Sequence, residues 1–258
     1  MGRACARRFA RTGEQVTICD IAHDGLAQAQ AALGQEGVQV RTIQCDFADD
    51  ASVHSMVAAW DIQRPIAIVH TAGLSPSMSD WRTIVNVNLT GTARLLDAVL
   101  PHVQVGSSCV CIASNASYLL PDIPAVAALM EQPRDPQLLE KLAVLSQVEE
   151  WNSGVGYATS KRAVRRLVVA RAMEWGRRGA RLNSLSPGIT ETAMGKREYA
   201  NEPFMAEMVK MTPVGRSADP DEMASAAQFL CSQEASFIAG IDLLVDGGCA
   251  ASMDVLPR

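Results

Sequence analysis

Apolar residues in this chain follow two alternating rhythms. Short β-rich runs occur at residues 15–20, 38–43, 65–70, 107–112, 180–185 and 241–245. Between them, apolar positions recur every three or four residues, at 25–33, 80–100, 157–177 and 219–230, with a further helix between the second and third runs. Strands alternating with helices imply parallel strands joined by crossover helices, so the fold class is α/β, an open doubly wound parallel sheet in a single domain over residues 1–258. The run 65–70 is apolar enough to predict a strand buried on both faces.

One stretch breaks the rhythm. Residues 119–153 hold Pro121, Pro124, Pro133 and Pro136 with two helical patterns, 125–131 and 137–151, and form an insertion after the fourth strand. Its apolar residues Val126, Leu129, Leu139, Leu142 and Leu145 predict packing, by default onto the domain itself and otherwise onto a second subunit.

The length and the 48% hydrophobic content suffice for one well-cored domain. A net charge of -5 argues against a nucleic-acid partner. No apolar run approaches the roughly 18 residues that suggest a membrane span. The seven cysteines form no C-x-x-C pair, and they read as reduced thiols of a cytoplasmic protein with no metal site. Cys109 and Cys111, two apart on a strand, share a face in the core. The arginine-rich start, residues 1–11, resembles a transit peptide in composition. It equally suits an amphipathic helix with Cys5, Ala6, Phe9 and Ala10 inward, and the strand that follows at once favours the helix.

Candidate chemistry gathers after the strands, where such sheets bind ligands. Tyr157 and Lys161 are one helical turn apart, so an ammonium is expected beside a phenol, lowering its pKa from about 10 towards neutrality. Asp20 ends a strand at the spacing from Gly2 expected of an acid that grips ribose hydroxyls; alone, it is equally a helix cap. Asp46 suits an adenine edge or a plain turn. Thr71-Ala72-Gly73 permits close approach of backbone to a ligand, or makes a simple turn. Ser114 leaves a strand with its hydroxyl available to a substrate oxygen or a turn. Asn88 is unfavourable within a helix, which hints at a task beside a local kink near Gly91. Pro187-Gly188-Ile189-Thr190-Glu191-Thr192 is turn chemistry with hydroxyls attached.

Tyr157-x-x-x-Lys161, Ser114, Asn88, Thr71-Ala72-Gly73, Pro187-Gly188 and Val245-Asp246-Gly247-Gly248 together resemble the short-chain dehydrogenase/reductase family, in family order and over nearly the whole chain. The insertion and the helix ending Ala-Met-Glu-Trp-Gly are similar to bacterial 3α-hydroxysteroid dehydrogenase/carbonyl reductases. The resemblance implies a Rossmann-like fold and NAD-dependent interconversion of a secondary alcohol and a ketone. It implies Tyr157 as the proton donor and acceptor, Lys161 as its pKa modifier and ribose ligand, and Ser114 (with Ser117 a weaker candidate) as the substrate-positioning hydroxyl. Asn88 would hold a relay water. Asp20 with Ile21 would take the adenine ribose, Asp46 with Phe47 the adenine, and Ile189 with Thr192 the carboxamide. Thr71, Ala72, Gly73, Pro187 and Gly188 would line the cofactor. The implied substrate is a bulky apolar alcohol or carbonyl compound, with Met194, Met205, Met208 and Met211 in a lid or merely packing their own helix. Family members assemble through long helices, so a homodimer or homotetramer is expected.

Two departures matter. His70 stands where the family carries asparagine, and reads as a core histidine or, less readily, a base. The family's Thr-Gly-x-x-x-Gly-x-Gly turn survives only as Gly2, its first strand is missing, and the amides that cradle a pyrophosphate are reduced. The expectations are that Met1 is an internal methionine of a longer chain, and that the chain as given binds cofactor weakly. A catalytically silent binding or assembly subunit is therefore the competing function. A serine hydrolase lacks its G-x-S-x-G elbow.

Overall fold

The computed structural model describes residues 1–60, 62, 64–146, 151–201 and 204–255. Six strands are present among them: β1 (Val16–Asp20), β2 (Val40–Gln44), β3 (Ala67–His70), β4 (Ser108–Ile112), β5 (Arg181–Pro187) and β6 (Asp242–Val245). All pairs are parallel, but they form two sheets, β1-β2 and β3-β4-β5-β6. The sequence rhythm thus delivers the α/β class and the parallel direction, while the sheet is split between β1 and β3.

Helices cover both faces of the larger sheet. On one side α1 (Gly2–Arg11) and α12 (Pro220–Cys231) bury Ala4, Cys5, Met223, Ala224 and Leu230 against Val110, Ile112 and Leu185. On the other, α3 (Asp50–Ala58), α5 (Gly91–Val99) and α9 (Ser153–Gly176) close over Cys109, Cys111 and Leu182. The two-residue alternation along β4 sends Val110 one way and its cysteines the other, with their sulfurs 3.9 Å apart. α1 also buries Ala6 against Leu33 of α2 (His23–Gln35), Val38 and Val40, so one helix joins the two sheets.

Several expectations need correction. The run 65–70 is not buried on both faces. Only 67–70 is a strand, Ala67 is exposed, and Ile68 and Val69 are half-buried, because one edge of β3 opens onto the gap beside β1. The helix expected from Tyr157 begins earlier, at Ser153, where the Asn152 side chain accepts from the Val155 N–H at 2.9 Å. The stretch 80–100 is not uniformly α-helical: α4 (Trp81–Val85), capped by Asp80, passes through a π turn at Asn86–Thr90 into α5. The short α6 (Ala116–Leu119) leads into the insertion, which supplies α7 (Pro124–Met130) and α8 (Leu138–Ser146), and residues 147–150 of the second expected helix lie outside the described residues. Val126, Met130, Leu138 and Leu142 are buried in the main core.

Candidate active site

One open cavity of about 2780 Å³ runs along the carboxyl ends of β1, β3, β4 and β5 and down the gap between the sheets. At its far end Asp20 closes β1, with Oδ1 accepting from the Ala22 N–H at 2.9 Å, and Ile21 beside it is exposed. Asp46 follows β2 and accepts from the Ala48 N–H at 2.7 Å. Both acids therefore shape turns and line the cavity as well. Phe47 is buried edge-on to His70, with ring centroids 4.8 Å apart.

The N-terminus of α1 meets the cavity at the end of β3. A Cβ on Gly2 would stand 2.8 Å from Thr71 Oγ1, so only glycine fits unless that hydroxyl shifts. Met1 provides no side-chain cap, which leaves the first-turn amides of α1 as donors at the cavity edge. These amides, Gly73, the two acids and the turn after β5 suit an extended dinucleotide; the phosphate cradle is confined to this single helical turn.

The candidate reactive groups are more tightly gathered. Gly73 passes so close to Asn88 Oδ1 and Lys161 Nζ that a Cβ would meet them at 3.0 and 3.2 Å. Asn88, in the π turn, accepts from the Leu74 N–H at 2.8 Å, donates to the Leu74 carbonyl at 3.0 Å and reaches Ser160 Oγ at 3.3 Å. The sequence hint of a task near Gly91 thus has a structural counterpart, since π turns place such side chains out of helical phase.

Lys161 is where the sequence expectation fails. Its Nζ donates to the Ile112 carbonyl at 2.8 Å and lies 5.9 Å from the Tyr157 ring centroid. Burial draws the ammonium down to about 8. The Tyr157 phenol is raised: burial raises it most, the hydrogen bond with Ser114 lowers it, and the Glu198 charge raises it. The ammonium is turned to a carbonyl, and burial is the largest influence on the phenol.

The remaining groups divide clearly. Ser114 lines the cavity, whereas Ser117 is fully buried with Oγ accepting from Arg165 at 3.2 Å, outside the cavity wall. His70 is buried and pushed down to about 3, first by burial and then by Lys161, so it is a neutral core ring. Pro187 ends β5. Gly188 is required there because a Cβ would stand 2.7 Å from Asp246 Cα. Ile189 and Thr192 line the cavity, Thr192 Oγ1 accepting from the Gly195 N–H at 2.9 Å. Met194 lines it too, as do Met205 and Met208 of α11 (Phe204–Met211); Met211 does not. Among the described residues no cluster suits a metal ion and no helix is long and apolar enough to cross a membrane.

Sequence reasoning missed Glu198. This acid of α10 (Ala193–Asn201) is buried in the cavity wall and accepts from Ser75 Oγ at 2.7 Å, the Ser77 N–H at 3.1 Å and Ser77 Oγ. Nothing in Gly195-Lys196-Arg197-Glu198-Tyr199 marks it, since the run reads as a solvated helix face.

The family model described as enoyl-(acyl carrier protein) reductase matches residues 1–130 and 125–250. The chain is 32% identical to a short-chain dehydrogenase/reductase of Alternaria brassicicola, covering 97% of this chain and 92% of the relative. It is 32% identical to a D-threitol dehydrogenase of Mycolicibacterium smegmatis, over 96% and 88%. It is 35% identical to a 3-alpha-hydroxysteroid dehydrogenase/carbonyl reductase of Comamonas testosteroni, over 72% and 73%. A crystal structure of a Brucella melitensis short-chain dehydrogenase/reductase (glucose/ribitol dehydrogenase) superposes with a TM-score of 0.73 at 29% identity, over 96% and 91%.

Proposed function

This chain belongs to the short-chain dehydrogenase/reductase family, and from that premise we propose that it interconverts a secondary alcohol and a ketone with NAD(H), using Tyr157 to exchange the proton. Membership makes it an oxidoreductase acting on CH–OH groups with a nicotinamide cofactor. The observation that carries the finer reading is the meeting of Tyr157, Ser114, Lys161 and the Asn88 clamp around one wall of a cavity whose far end carries Asp20.

When bound, the cofactor supplies or accepts the hydride. Ser114 orients the substrate oxygen beside Tyr157 in the same cavity, its Oγ held by the Ala116 N–H at 3.2 Å. Tyr157 gives its proton to that oxygen in reduction and takes it back in oxidation. Lys161, anchored to the Ile112 carbonyl, stands beside Gly73 where a ribose hydroxyl would lie. Asn88 fixes Leu74 and so the loop that bears Gly73. Asp20 favours NAD because its carboxylate repels a 2′-phosphate. Thr71, Ala72, Pro187, Gly188, Ile189 and Thr192 form the floor around it.

Met194, Met205 and Met208 on the cavity wall support a bulky apolar carbon skeleton, such as an alicyclic or steroid-like alcohol. The described cysteines are all free thiols, which fits a reducing, cytoplasmic setting. Val169 and Met173 stand exposed four apart on α9, and support a homo-oligomer assembled through that helix. A second reading, a silent binding subunit, is favoured by a raised Tyr157 phenol and an ammonium turned to the Ile112 carbonyl.

Thermal melting with NADH, with NADPH and with neither tests the proposal, alongside reduction of cyclohexanone and a 3-ketosteroid. A melting rise with NADH alone together with ketone reduction is the expected result. An unshifted melt with no turnover favours the silent subunit.

A further inference from the structure

Glu198 is 8% exposed, and no arginine, lysine or histidine nitrogen lies within ion-pair distance of it among the described residues. Its three donors, Ser75 Oγ, the Ser77 N–H and Ser77 Oγ, all reach Oε1. No described residue donates to Oε2, and that oxygen is not sealed from the cavity that Glu198 lines. A carboxylate withdrawn from water without a cation is expensive unless its lone pairs are met by donors. Glu198 lines the same cavity as Tyr157 and Ser114, and its partner Ser75 follows Leu74, which Asn88 holds, and Gly73, which lies against Lys161 Nζ, so the acid sits within a few residues' reach of the reacting groups. A ring carrying one hydroxyl at Tyr157 would press C–H groups on Oε2 and strip its remaining water without replacement. A ring carrying a second hydroxyl would supply the missing donor.

We propose that Glu198 is a specificity-determining residue that selects substrates bearing a second hydroxyl, accepting that hydroxyl's hydrogen bond on Oε2 while the reacting oxygen sits at Tyr157 and Ser114. This rests on the alcohol/ketone reading of the cavity and narrows its substrate to a hydroxylated alicyclic compound. Sites built to receive a hydroxyl reject analogues that lack it, because the buried acceptor is then left unpaired. The competing role is a latch alone: the same contacts, with Arg197 donating to the Ser77 carbonyl at 3.1 Å, pin α10 to the loop after β3.

Calorimetric titration of the NAD-supplemented protein with cyclohexanol and with the isomeric cyclohexane-1,2-, 1,3- and 1,4-diols separates the two. At least one diol is expected to bind about tenfold tighter than cyclohexanol. Glu198→Gln keeps a latch acceptor but loses the charge, and should reduce that advantage below about threefold. Ser77→Ala loosens the latch and should leave it. Equal binding of diols and cyclohexanol, no binding of any diol, or an equal loss for both ligand types in Glu198→Gln would overturn the proposal. Oxidation followed in the same samples tests the parent reading separately. A diol preference without turnover of any alcohol would sink the oxidoreductase alone, and turnover without preference would sink the role of Glu198 alone.

Discussion

Tyr157 sits in a wall that raises its phenol, so at neutral pH it carries its proton, the form that its proposed role in ketone reduction needs. Alcohol oxidation needs the phenolate, which becomes available only towards alkaline pH. The kcat/KM for oxidation should therefore climb by about one log unit per pH unit between roughly pH 7 and 9, while that for reduction stays flat. A plateau in oxidation below pH 8 would show that bound cofactor has reset the phenol. Tyr157→Phe should lower turnover by about 10²- to 10⁴-fold with melting temperature and NADH binding kept. Lys161 gives a second pH signature. Its folded value, about 8, is below the ordinary 10.5. Between the two values the unfolded chain binds the extra proton, so stability rises with pH across that window and the burial penalty is fully present below it. Urea unfolding should show the wild type gaining on Lys161→Met by up to about 3 kcal/mol from pH 8 to 10.5. The four-residue spacing made this pair legible in the sequence. That Lys161 grips Ile112, 49 positions away, was not, because a tertiary carbonyl leaves no local trace.

Among the elements, the crossing of α9 over α4 governs where Tyr157 stands. Gly156 lies at the contact, where a Cβ would be 2.6 Å from Trp81 Cβ. Gly156→Ala should force the helices apart, cost roughly 1–3 kcal/mol and depress kcat through the adjoining Tyr157. Gly34 in α2 has nothing within 4 Å of its Cβ position, so Gly34→Ala should stabilise by about 0.5–1 kcal/mol with kcat unchanged. Melting curves and steady-state kinetics on the two variants give opposite signs if packing, and not helix propensity, controls the crossing. The strands and helices were readable from periodicity because burial faces repeat at 2.0 and 3.6 residues. The π turn showed only as an asparagine in an awkward place. The limits of β3 were misread because an apolar run looks the same whether a sheet or a cavity flanks it. Glu198 was invisible for a related reason: its burial comes from the loop that folds onto α10, at a distance of more than a hundred residues.

At the scale of the molecule, two sheets share α1 as their common wall while β1 and β3 keep one unpaired edge each. β4 is flanked on both sides and wholly buried, so its amides should open only with global unfolding. The β1–β2 unit is held by the small cluster of Ala6, Leu33, Val38 and Val40 and should open at lower free energy. A dinucleotide would span the division, with Asp20 and Asp46 on one side and Lys161, Gly188 and Thr192 on the other. Binding should then tie the weaker unit to the stronger, adding about 2.7 kcal/mol at a free concentration one hundred times Kd. Hydrogen–deuterium exchange with and without NADH tests this coupling directly. Slowing at residues 16–20 and 40–44 together with β4 is the expected pattern, because every opening that exposes these amides, local or global, must first release a ligand that spans both units. Slowing of β4 without residues 16–20 and 40–44 would mean that the ligand leaves the β1–β2 unit free to open and that no such coupling exists.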